Sequence, residues 1–169
     1  MPTTSAPAHS APAQATTAVP AQAPTVPAHL LPNRTPAQLL VLARHGLTEA
    51  GSTRPDGLRY AAAHLSALRA AAAMLAARAR PAPTRRNRVT SVWALLMMVA
   101  PEMAEWATFF AAGASKRAAA EAGIPRVVTA READDLLRSA GQFVSLVEDT
   151  LGLAHQPALD PALDGLAAA

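Results

Sequence analysis

At 169 residues the chain has room for one folded domain and its tails. The formal charge is only +3, and the absence of cysteine excludes a disulfide framework, a thiolate zinc site and a thiol nucleophile and fits a reducing cytoplasm. Arg outnumbers Lys fourteen to one, a bias that a GC-rich genome imposes together with the abundant alanine, so arginine content alone does not argue for nucleic acid.

Residues 1–33 are rich in Ala, Pro, Thr and Gln and carry no charged side chain. They show no helical or strand period. Such a segment buries too little apolar area to offset its ordering entropy, which predicts a disordered tail with polyproline character. It also lacks the positive and apolar regions of a secretory signal. His9 and His29 lie in it without neighbouring ligands.

Thr35-Pro36-Ala37-Gln38 opens the folded part, 34–153, as a capping box with proline at the first helical position. The first helix is expected to reach Ala50, with Leu39, Leu40, Ala43, Leu47 and Ala50 inward. Gly51 to Gly57 reads as a turn, with Asp56 as N-cap of a second helix that Pro81 ends. The stripe of that helix is Leu58, Ala61, Leu65, Leu68, Ala72 and Leu75.

Ser91 to Phe110 holds both tryptophans and two of the three phenylalanines. Val92, Leu96, Val99, Met103, Trp106 and Phe110 keep a helical spacing through Pro101. One kinked third helix is therefore expected over two, continuing to a stop at Gly123. Trp93 and Phe109 fall one position off the stripe. Glu102, Glu105 and Pro101 argue against a membrane span. Thr129-Ala-Arg-Glu132 is a second capping box, opening a helix to Leu151 with Ala133, Leu136, Leu137, Ala140, Val144, Val147 and Leu151 inward. The predicted fold is all-α: a four-helix up-and-down bundle with a kinked third helix. Residues 154–169, with the repeated Pro-Ala-Leu-Asp unit over 157–164, read as a flexible C-terminal tail.

The run from Arg59 to Ala73, the segment Ala122-Gly-Ile-Pro-Arg-Val-Val-Thr-Ala-Arg-Glu-Ala-Asp-Asp-Leu-Leu137 and the Trp/Phe-rich helix between them resemble HEPN domains. Residues 36–153 are similar to a group of small actinobacterial HEPN-domain proteins. The resemblance implies a compact helical bundle, often a homodimer, in a superfamily connected with RNA and nucleotide binding. It also implies a toxin–antitoxin or defence setting, with a nucleotidyltransferase-like antitoxin as a partner protein. Many members are ribonucleases with an Arg-x4–6-His motif late in the domain. Here Arg117, Arg126 and Arg131 have no His at that spacing, which points to a non-catalytic module.

The one textual match is Arg59 to His64, and about one such match is expected by chance. At about 100° per residue, Arg59 points roughly 150° from the stripe and His64 sits at its edge, so a solvated Arg59 and a half-buried His64 are expected. As a ribonuclease pair, Arg59 would hold the scissile phosphate and His64 would be acid or base. Arg44-His45 is a lesser pair of the same kind. Arg78, Arg80, Arg85, Arg86 and Arg88 place five guanidinium groups within eleven residues, a patch able to neutralise phosphates. No aromatic residue is interleaved for base stacking. Glu102 with Glu105, and Glu132 with Asp134 and Asp135, have no accompanying His and are accounted for by capping and helix dipoles, so no metal is expected. No cofactor is expected either. A purely structural oligomerisation bundle is the remaining alternative.

Overall fold

The computed structural model describes residues 23–82 and 90–153. Within them the helices are α1 (Pro36–Ser52), α2 (Asp56–Arg78), α3 (Val92–Val99), α4 (Ala104–Glu121) and α5 (Ala130–Leu151). Two short strands, β1 (Thr25–Pro27) and β2 (Arg80–Ala82), accompany them. The all-α reading holds, and both capping boxes are present. Thr35 accepts from the Gln38 backbone and Thr129 from that of Glu132, while Gln38 and Glu132 reach back to the cap amides. The second helix opens one residue earlier than expected. Pro55 is its N-cap and Asp56 its first residue, where a carboxylate complements the helix dipole.

The kinked third helix resolves into two. Ala100 is extended (φ −142°, ψ 71°), because the ring of a following proline crowds a helical residue. Pro101–Met103 is a 3-10 turn with proline at its first position, and α4 starts directly behind it. The apolar register survives this break, which is why the spacing suggested continuity. At the far end of α4, Gly123 takes φ 74°. The Gly123 N–H donates to Ala120 and the Ile124 N–H to Ala119, the paired bonds of a Schellman stop.

Residues 25–30 also depart from the structureless tail expected up to residue 33. β1 pairs in parallel with β2, with Thr25 opposite Arg80, Val26 opposite Pro81 and Pro27 opposite Ala82. The Arg80 N–H donates to the Pro24 carbonyl at 2.9 Å, and Val26 is fully buried. A single valine seated in the core anchors the segment, and one residue has no periodicity to read. A 3-10 turn at Ala28–Leu30 then leads toward α1.

α2 is the hub, packing against α1, α3, α4 and α5. Its buried residues are mostly small: Ala61, Ala63, Ser66, Ala67, Ala70, Ala71 and Ala73, with Tyr60, His64, Met74 and Leu75. Of the expected stripe, Ala61 and Leu75 are buried, whereas Leu65, Leu68 and Ala72 are half-buried and Leu58 is 53% exposed. Alanines let neighbouring backbones approach, and the leucines then fill the seams between helices. Gly46 on α1 shows how close that approach is. A Cβ built there would lie 2.5 Å from the Ser66 hydroxyl oxygen.

The bulky volume lies on the other side of α2. Trp93 of α3 stacks on Phe110 of α4, with centroids 5.2 Å apart and planes 18° apart. Trp106 stacks on Phe110 from further along, and Phe143 of α5 meets both Phe110 and Trp106. Trp93 is therefore core although it lies off the sequence stripe, while Phe109 is 48% exposed.

Candidate functional site

Arg59 lies in the first turn of α2 and is not solvated. Its Nη2 donates to Asp56 Oδ1 at 2.7 Å and its Nη1 to the Thr53 carbonyl at 3.2 Å. Its Nε lies 3.2 Å from Asp134 Oδ1 on α5, and the side chain is 15% exposed. This arginine fastens the α1–α2 turn to the start of α5. Both carboxylates already occupy the positions that a phosphate would need.

His64, expected at the edge of the buried face, is fully buried. A hub helix packed on several sides has a wider buried arc than a single stripe suggests. His64 Nε2 lies 2.9 Å from the Phe110 carbonyl oxygen. A carbonyl only accepts, so Nε2 carries the proton and donates. Nδ1 has no partner, and Trp93 and Phe110 meet the imidazole at right angles with centroids 5.6 and 5.8 Å away. Burial lowers the pKa of His64 below its usual value. Arg59 and His64 thus share no partner: one faces the start of α5, the other the α3–α4 rings. The structure does not bring them together as a catalytic pair.

Arg44 is likewise structural, forking onto Glu148 through Nε and Nη2 and bonding Ser145 at 2.9 Å. Glu148 is buried at the α1–α5 contact, four residues after Val144 and three before Leu151 on the same inward stripe. His45 is exposed beside Glu49. Asp135 is paired with Arg131 and Arg138, and Arg117 with Glu121. Lys116 and the Thr129 cap hold the Glu132 carboxyl at about 2. Among the described residues, no group of three or more His, Asp or Glu is placed to hold a metal ion.

The remaining candidates cluster where α2 ends. Arg78, in the last turn, pairs with Glu102 in the 3-10 turn before α4. Arg80 is exposed on β2 and makes no ion pair among the described residues. Arg85, Arg86 and Arg88 lie outside the described residues. Arg34, which the sequence reading passed over, belongs here too. Residues 31–36 share a shallow depression with Ala76 of α2, and Arg34 is exposed and unpaired among the described residues. The antiparallel packing of α1 on α2 brings it there: Gly46 meets Ser66, Leu42 meets Arg69, and the start of α1 therefore meets Ala76. Among the described residues, Arg34 and Arg80 are thus exposed cations without an ion pair near the end of α2.

Five helices among the described residues, four of them gathered around α2, are an all-α arrangement consistent with a HEPN domain. Comparison with family profiles agrees, with residues 50–148 matching the SAV_6107-like HEPN family, and the chain belongs to that family. No curated protein and no solved structure matches it. No helix among the described residues is long and apolar enough to cross a membrane.

Proposed function

We propose that this chain is a non-catalytic HEPN module that binds RNA or a nucleotide through phosphates at the basic end of α2. The observation that carries the reading is the contrast among its arginines. Arg44, Arg59, Arg78 and Arg117 are paired with carboxylates, whereas Arg34 and Arg80 are exposed and make no ion pair among the described residues, and the sequence adds Arg85, Arg86 and Arg88 shortly after. Free guanidinium groups on one end attract polyanions and fork onto phosphate oxygens. With no ring at that end to stack a base, recognition rests on the backbone of the nucleic acid.

The test is fluorescence anisotropy with a labelled single-stranded RNA of mixed sequence. Replacing Arg78, Arg80, Arg85, Arg86 and Arg88 together by alanine abolishes binding at moderate salt while leaving the helical circular dichroism unchanged. Equal binding by both proteins removes the reading. Homodimerisation, a nucleotidyltransferase-like partner and a cytoplasmic setting go with the same proposal. Exposed Phe109 and Met98 offer apolar surface for a protein contact, which molar-mass light scattering examines.

A further inference from the structure

His64 is the one fully buried imidazole among the described residues, and the reading above makes no use of it. Its Nε2–H is committed to the Phe110 carbonyl across the α2–α4 contact. Nδ1 is the only position that can take a second proton, and it has no partner. The other edge of the ring, Cδ2 and Nε2, packs closely on α4. Gly113 closes against the site so tightly that a Cβ there would lie 2.7 Å from the Tyr60 hydroxyl and 3.5 Å from His64 Cδ2.

We propose that His64 is a pH latch that holds α4 against α2 while neutral and whose protonation releases the α3–α4 limb. A second proton would place an imidazolium among aromatic rings with no acceptor at Nδ1, and an isolated buried charge is costly. The ionisable neighbours do not rescue it. On α2 there is Tyr60, a phenol that is neutral in this range and whose pKa burial raises further. On α4, Arg117 opposes a charge on His64 and Glu121 favours it, but these two are paired with each other. α3 has no ionisable residue. On α5, Glu132, Asp134, Asp135 and Glu148 are held by Lys116, Arg59, Arg131 with Arg138, and Arg44.

The sign follows from linkage. Burial lowers the folded-state pKa of His64, so the opened state binds the proton more tightly. The latch is intact above about pH 6.5, the value of a free imidazole, and weakens as pH falls below it. Opening then rises by up to about tenfold per pH unit until the folded-state pKa is reached. Carboxylates, which ordinarily titrate near about 4, contribute little in the upper part of that window.

Hydrogen exchange of α4 backbone amides between pH 7.5 and 5.0, corrected for intrinsic rates, tests this. The wild type should show α4 opening that increases steeply below pH 6.5, and His64→Gln, which keeps a donor for Phe110 but does not titrate, should show a shallow dependence. His45→Gln, at an exposed site, should behave as wild type. Equal pH dependence in wild type and His64→Gln overturns the proposal. Should that variant not fold, histidine 15N shifts in the wild type decide instead. A neutral His64 with its proton on Nε2 down to pH 6 supports the latch, and a His64 charged in the folded protein at pH 6 overturns it.

Discussion

Two regions along α2 carry most of the unusual chemistry in this chain, and they differ in kind. Around its middle, His64, Trp93, Trp106, Phe110 and Phe143 form a closed cluster of rings reaching from α2 to α3, α4 and α5. At its C-terminal end, Arg34 and Arg80 are exposed and half-buried Arg78 pairs with Glu102. The ring cluster is spent on holding the helices together. The basic end contributes little to packing and is free to meet a ligand. Residue types suited to catalysis or stacking thus fall on the structural side of the division, and point charges on the functional side.

That division predicts that stability and ligand binding separate by region. The largest effect belongs to Phe110→Ala, which empties the centre of the ring cluster and costs about 3–5 kcal/mol in chemical denaturation. The protein that remains folded should keep its affinity for RNA. Next is Gly113→Ala. In an exposed helix this change stabilises by up to about 1 kcal/mol, but here the new methyl meets the Tyr60 hydroxyl at 2.7 Å. A net loss of about 1 kcal/mol is expected, and a gain would show that the α2–α4 contact is looser than described. Arg80→Ala is the smallest in stability, within about 0.5 kcal/mol, because the side chain is exposed and unpaired. It should nevertheless weaken RNA binding and reduce its salt slope by about one phosphate contact.

The legible parts of the fold were those written locally. Thr35 with Gln38, Thr129 with Glu132 and Gly123 carry their own hydrogen-bonding logic and fixed the helix ends. The break at Pro101 was visible, but its form was not. Register persisted across it, and only the extended Ala100 separates one kinked helix from two. What escaped depends on neighbours distant in sequence. The alanine face of α2 rather than its leucines is central because four helices converge on it, and that convergence also buried His64. Arg59 finds Asp134 and Arg44 finds Glu148 across long separations, which converts apparent surface cations into ties between helices. The density of arginine after residue 77 was plain from the sequence, whereas the approach of Arg34 depends on how α1 lies antiparallel on α2.

The most direct test of the functional reading is the salt dependence of RNA affinity for the unmodified protein. Binding through phosphates releases counterions, giving a linear fall of log K with log salt at about −0.7 per contact for a single strand. With four or five arginines engaged, a slope near −3 is expected, and replacing the five arginines from Arg78 to Arg88 should flatten it. An affinity that does not change with salt, or a slope untouched by those replacements, would contradict the assignment of function to the basic end.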